Sequence, residues 1–254
     1  MNYNEIIELV HSTRSIIFNE EMAHAVTVKG AADYVTKVDV AVQEFMRKEL
    51  KRRTPDILLL SEEQENTSLD VQKSCWILDP IDGTTNLIHD YQMSAVSLGL
   101  YEHGQITFGV VYNPFTEETF HAVRGQGACL NGKSVCVSHR KDFGTCVISL
   151  GSSPYEKDKA AMLFPIFQKV FMETADFRRS ASAALDLCYV AAGRVDGFFE
   201  YNLKPWDYSA GSLIIEEAGG IITDWDGCAL PYLQNSSIIT ATPEIYEKLK
   251  AFLP

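Results

Sequence analysis

The stretch Cys75-Trp76-Ile77-Leu78-Asp79-Pro80-Ile81-Asp82-Gly83-Thr84-Thr85-Asn86 decides the reading of this chain. Its first four residues are a short apolar run with polar neighbours, the pattern of a buried strand. Asp79 then stands at a strand's C-terminal end, where α/β-type folds gather ligands. Pro80 removes a backbone donor and stiffens the exit, and Gly83 permits a tight turn or a close ligand approach. Thr84 falls where a short helix could begin, with free N–H groups that favour a phosphate.

Two carboxylates three residues apart, with the Ile81 carbonyl between them, suit a hard cation. Mg²⁺ takes oxygen ligands and keeps several waters. One loop cannot fill two coordination spheres, so other acids must converge on it. Working outward, Glu62 in Ser61-Glu62-Glu63 follows a second apolar run, Ile57-Leu58-Leu59-Leu60. Asp207 in Trp206-Asp207 opens a helix read through Ala218. Each acid also has an ordinary use. An Asp after a strand forms turns or caps helices, Glu62-Glu63 reads equally as a solvated pair, and Asp207 as a helix cap. Composition and spacing stop at a candidate Mg²⁺ site.

The remaining pattern sets the frame. Ile6, Ile7, Val10, Ile17 and Met22 have helical spacing over about 4–25, and a second helix is predicted over about 38–53. From Ala95 to about Val137 the chain reads as antiparallel strands, with turns at Gly104, Asn113-Pro114, Gly125-Gln126-Gly127 and Asn131-Gly132. Helices at about 156–173, 181–192, 208–218 and 243–251 then alternate with strands at about 146–150, 195–199, 220–223 and 237–240. This gives an α+β first half (1–140, holding most of the acids) and an α/β second half (141–254), closely packed.

At 254 residues the chain buries a sizeable core, and a net charge of -12 disfavours nucleic acid or an anionic membrane as a partner. Six scattered cysteines form no CxxC pair, which argues against a zinc site. The N-terminus lacks a basic-then-apolar signal, and no apolar run approaches membrane-spanning length. The expectation is a soluble, cytoplasmic protein.

The same residues carry a family resemblance. Trp76-Ile77-Leu78-Asp79-Pro80-Ile81-Asp82-Gly83-Thr84-Thr85-Asn86, with Trp206-Asp207-Tyr208-Ser209-Ala210-Gly211 and Glu217-Ala218-Gly219-Gly220, is similar to the two signatures of the inositol monophosphatase family. Asp33-Tyr34-Val35-Thr36-Lys37-Val38-Asp39, Glu62-Glu63, Ala183-Ala184-Leu185-Asp186-Leu187 and Gly193-Arg194-Val195-Asp196-Gly197 extend the match over nearly the whole chain. The resemblance implies an αβαβα layered sandwich, usually a homodimer, and a Mg²⁺-dependent, lithium-sensitive phosphatase for a small phosphorylated polyol such as myo-inositol monophosphate.

It also implies roles for two to three Mg²⁺ ions. Glu62, Asp79 and the Ile81 carbonyl would hold the first ion, Asp79, Asp82 and Asp207 the second, and Glu62 a third through waters. Asp39 and Thr84 would direct and deprotonate the attacking water. Gly83, Thr84, Ala181, Ser182, Glu200 and Asp207 would contact phosphate or substrate. Ala181 departs from the pattern, standing where many relatives carry Gly, and Ser61 and Ser209 replace a usual Gly and Ala. Thr85-Asn86 resembles the inositol monophosphatase branch, whereas the bisphosphate nucleotidase branch more often has Lys-Glu there. Fructose-1,6-bisphosphate, a nucleoside bisphosphate and NADP remain alternative substrates. A regulatory protein-binding module is the alternative of another class.

Overall fold

The computed structural model describes residues 1–30, 33–63 and 73–254. The N-terminal segment is not one helix but three: α1 (Tyr3–Ser12), α2 (Arg14–Ile17) and α3 (Glu20–Ala23). Buried Thr13 turns its hydroxyl back on the Val10 carbonyl (2.6 Å), and Asn19 caps α3 by accepting from Met22 N (3.2 Å). Such local side-chain bonds interrupt a helix that apolar spacing alone would continue. The hairpin β1 (Val26–Gly30) and β2 (Asp33–Thr36) follows, unmarked in the sequence because β1 is exposed along its length and shows no alternation. Next comes α4 (Lys37–Arg53), capped by Thr36.

One sheet contains β3 (Leu58–Ser61), β4 (Cys75–Asp82), β5 (Ala95–Glu102), β6 (Gln105–Asn113), β7 (Glu118–Val123), β8 (Ala128–Leu130) and β9 (Lys133–Val135), in sequence order. β3 pairs parallel with β4, and the other pairs are antiparallel. The short α5 (Thr84–Ile88) leaves the end of β4. The second sheet has the order β11-β10-β12-β14-β13, from β10 (Val147–Leu150), β11 (Asp176–Arg178), β12 (Gly197–Leu203), β13 (Ile221–Asp224) and β14 (Ser236–Ala241). Its helices are α6 (Ala160–Glu173), α7 (Ala183–Ala191), α8 (Pro205–Glu217) and α9 (Tyr246–Lys250). The helix expected from 156 begins instead at Ala160, after a 3-10 turn at Lys157–Lys159, and the three-residue β11 carried no readable pattern.

Side-chain alternation on the strands builds the layers. Trp76 and Leu78 of β4 point to one face, where they meet Ile6 and Val10 of α1 and Val42 and Met46 of α4. Cys75 and Ile77 point to the other, into a core shared with Leu185 and Cys188 of α7 and Leu213 and Ile214 of α8. Phe198 and Ile238 of the second sheet close that same core from the far side. Beyond them, Ile148, Phe199 and Ile239 pack on Leu163 and Phe167 of α6 and Leu249 of α9. The result is the five-layer αβαβα sandwich. A helix covered on both sides must be apolar all round, and every residue of α7 except Tyr189 is buried.

Close contact between sheet and helix depends on two glycines. Gly99 and Gly109 face each other across β5 and β6. A Cβ on Gly109 would lie 2.7 Å from the Ala210 carbonyl oxygen, and one on Gly99 3.3 Å from Ala210 N. The bare patch lets α8 lie directly on the sheet, which carries its N-terminus to the end of β4. Among the described residues no helix is long and apolar enough to cross a membrane.

Candidate active site and metal centre

β4 does not stop at Leu78 as its apolar run suggested. It continues to Asp82 through an irregularity: Asp79 pairs with Ser97 and Asp82 with Ala95. Three steps along β4 thus match two along β5, the signature of a bulge, and Pro80 sits inside it where no ladder donor is required. The extra residue matters chemically. In a regular strand, residues three apart face opposite ways. The bulge brings Asp79 and Asp82 to the same side.

Neighbouring elements complete the cluster. Parallel pairing sets Ser61 beside Leu78, so Glu62 emerges next to Asp79. Asp207 occupies the first turn of α8, where its Oδ2 accepts from Lys204 N (2.8 Å). Ser97 Oγ donates to the Trp206 carbonyl (3.2 Å), tying that turn to β5. Asp207 therefore caps its helix, as the ordinary reading allowed, and still offers an oxygen to the site. Asp79, Asp82 and Asp207 each present a carboxylate oxygen, all within 4.8 Å of one another.

The aspartates are also anchored. Asp79 Oδ1 accepts from Ile81 N (2.9 Å), and Asp82 Oδ2 accepts from Ala184 N (2.8 Å) and from Ser182 Oγ. Desolvation pushes the Asp79 and Asp207 carboxyls well above the usual range, and neighbouring acids add to the shift. Asp82 is raised to about 6, mainly by burial, against the hydrogen bonds from Ser182 and Ala184. Glu62 is pushed up to about 8 by burial and by Glu63, with Lys29 opposing. Buried like charges at this spacing are strongly unfavourable unless a cation joins them. The donor set is all oxygen, carboxylates with the Ile81 carbonyl at hand, and contains no histidine or cysteine. That chemistry fits a hard divalent ion.

Asp39 lies one layer behind. Fully buried in the first turn of α4, it accepts from Thr36 N (2.9 Å) and Thr36 Oγ1 (2.5 Å) on one oxygen, and from Thr84 Oγ1 (2.8 Å) on the other. Burial raises its pKa, and the bonds from Thr36 and Thr84 pull the other way. Asp39 does not line the cavity itself; Thr84, the first residue of α5, connects it to that space.

The cavity holds about 760 Å³ and is walled by Glu62, Asp79, Ile81, Asp82, Gly83, Thr84, Ala181, Glu200 and Asp207, among others. Glu200 of β12 stands across from the acids. Its Oε1 accepts from Ser153 N (3.1 Å), and burial raises it to about 7. Gly151 leaves room for it, since a Cβ there would lie 1.9 Å from Glu200 Cδ. Ala181 has φ +67°, in the left-handed region that glycine adopts at less cost. Ser182 has a second part, played by its side chain. It is buried and off the cavity wall; it caps α7 at Leu185 N and holds Asp82. Arg179 and Asp186 are among the wall residues to which the sequence does not assign a role.

Comparison with known proteins agrees with this geometry. The model of the inositol monophosphatase family matches residues 3–253. The Nus factor SuhB of Escherichia coli K12 is 42% identical over 226 residues, which cover 88% of this chain and 83% of that protein. The Thermotoga maritima IMPase structure superposes with a TM-score of 0.88 at 30% identity, over 99% of this chain and 96% of that one. A dual specific IMPase/NADP phosphatase, solved with D-inositol-1-phosphate bound, gives 0.86 at 25% identity, again over 99% and 96%. This chain belongs to the inositol monophosphatase family.

Proposed function

We propose that the protein is a Mg²⁺-dependent phosphomonoesterase for a small phosphorylated polyol, with myo-inositol monophosphate as the first substrate. The observation that carries the reading is the joint placement of a buried oxygen-ligand cluster, a Thr84–Asp39 pair and Glu200 around one cavity. Glu62, Asp79 and the Ile81 carbonyl would hold one ion, and Asp79, Asp82 and Asp207 a second. When bound, the ions supply Lewis-acid stabilisation of the charge that builds on the phosphoryl oxygens.

The chain's own groups supply the rest. Thr84 Oγ1 donates to Asp39, so its lone pairs are free to accept from the incoming water and fix its direction. Asp39 receives the proton through that hydroxyl, and its buried, raised carboxyl holds a proton more readily than an exposed one. Gly83, Thr84 and Ala181 present backbone to the phosphate side. Glu200, opposite, accepts from substrate hydroxyls. Ser182 acts by orienting Asp82.

The test is phosphate release from a panel containing inositol monophosphates, fructose 1,6-bisphosphate, a nucleoside bisphosphate and NADP, with Mg²⁺ titrated and then removed by EDTA. Turnover of an inositol monophosphate that vanishes with EDTA is the expected result. Metal-independent turnover, or none on any ester, defeats the proposal. A second reading follows from the Nus-factor name of the Escherichia coli relative. If the chain acts chiefly by binding a protein, a folded Asp82→Asn variant would retain its biological activity.

A further inference from the structure

Residues 179–182 join β11 to α7, and Ala181, which lines the cavity, lies in the left-handed region. That conformation is uphill for any residue with a Cβ, so its surroundings must hold it. Two sets of contacts do so. From inside the turn, Ser182 N donates to Ser180 Oγ (3.0 Å), and Ser180 Oγ donates to Asp186 Oδ2 (2.6 Å). From outside, Asn86 Nδ2 donates to the Ser180 carbonyl (2.9 Å), and a Cβ on Gly83 would lie 3.2 Å from the Ala181 carbonyl.

Asp186 is the one charged residue of α7. It is 3% exposed, and its Oδ1 accepts from Ser149 Oγ. A carboxylate placed in so apolar a helix carries a desolvation cost that packing alone does not explain. Both of its oxygens are engaged by protein hydroxyls.

We propose that Asp186 is a positioning residue: through Ser180 it holds Ala181 in its left-handed conformation and so sets the gap between the 181–182 backbone and the acidic cluster. This rests on the phosphatase reading above. Asp186 borders the cavity, but both of its oxygens are taken by Ser149 and Ser180, so it acts on the substrate through the turn.

The experiment compares Asp186→Ala, Asp186→Asn, Ser180→Ala, the Asp186→Ala/Ser180→Ala double variant, and Asp186→Ala combined with Ala181→Gly. Two quantities are read: KM and kcat for inositol monophosphate with Mg²⁺, and calorimetric binding of inorganic phosphate with Mg²⁺. Asp186→Ala and Ser180→Ala are each expected to raise KM and weaken phosphate binding about tenfold, with kcat within about threefold of the parent. The double variant is no worse than either single one, because both cut the same link. Asp186→Asn, which keeps an acceptor, recovers most of the loss. Ala181→Gly, which removes the strain, does the same in the Asp186→Ala background. Parental KM and phosphate affinity in Ser180→Ala, or additive losses in the double variant, overturn the proposal. Should Asp186→Ala fail to fold, Ser180→Ala, Asp186→Asn and their double variant decide the question. If the parent hydrolyses no ester, the phosphatase reading falls and the phosphate-binding comparison still decides this one.

Discussion

Asp82 divides its carboxylate between two tasks. One oxygen is held by Ser182 and Ala184, and the residue also contributes to the cluster with Asp79 and Asp207. Asp82→Asn preserves shape and the Ala184 bond but removes the charge. It is expected to lower kcat/KM about a hundredfold or more while the melting temperature holds or rises, since a buried like charge is gone. Full activity in a folded variant would refute the two-ion assignment. Thr84 allows a finer test. Thr84→Val removes the hydroxyl between water and Asp39 and should cut kcat about a hundredfold with little change in KM, whereas Thr84→Ser should retain most of it. Activity kept by Thr84→Val and lost by Thr84→Ser would mean that the methyl, not the hydroxyl, matters. Such residues differ in how far the sequence discloses them. Asp79 and Asp82 show by spacing only a candidate cation site, which the family pattern strengthens. Asp39 reads locally as an acid at a helix start, and it does cap α4; only the family pattern marked its second use. Asp186 falls within the family pattern, but its role is not legible there, because its partners Ser149 and Ser180 reach it from elements that only the fold brings together.

Elements are placed by features a sequence shows unevenly. The apolar runs at 57–60 and 75–78 and the turns of β5 through β9 were legible, because burial on alternating faces leaves a pattern. The bulge in β4 was not, since it exists only as a register relation to β5. The β1–β2 hairpin was missed because an exposed strand has no apolar period. The α8 seat on Gly99 and Gly109 belongs to this scale. In Gly109→Ala the new methyl meets backbone, which cannot swing aside, and overpacking of this kind costs about 1–3 kcal/mol. The denaturation midpoint should fall, and because α8 carries Asp207, the Mg²⁺ concentration for half-maximal activity should rise. A lowered midpoint with unchanged Mg²⁺ dependence would show that α8 shifts without moving Asp207.

For the whole molecule, the acidic site makes metal, protons and folding compete. Glu62 is raised to about 8 and Asp82 to about 6, from ordinary carboxylate values near 4. Between those limits the metal-free folded chain binds more protons than the unfolded one, so its stability falls as pH rises through the window. Below it both states are protonated at these groups, and the penalty is absent. In EDTA, the contribution of these groups should lower the denaturation midpoint from about pH 5 to about pH 8, and the gain on adding Mg²⁺ should grow over the same range. A gain independent of pH would place the ion elsewhere.

The middle layer of helices has one more consequence. Asp79 and Asp82 enter the growing polypeptide long before Asp207, and α7 and α8 are the surface on which the first sheet closes. A nascent or prematurely terminated chain that ends ahead of α8 has its acids without their third companion, and one sheet face open to water. Assembly of the ion site is thus coupled to synthesis of the last quarter of the chain, and a truncated product should be catalytically silent and prone to aggregate.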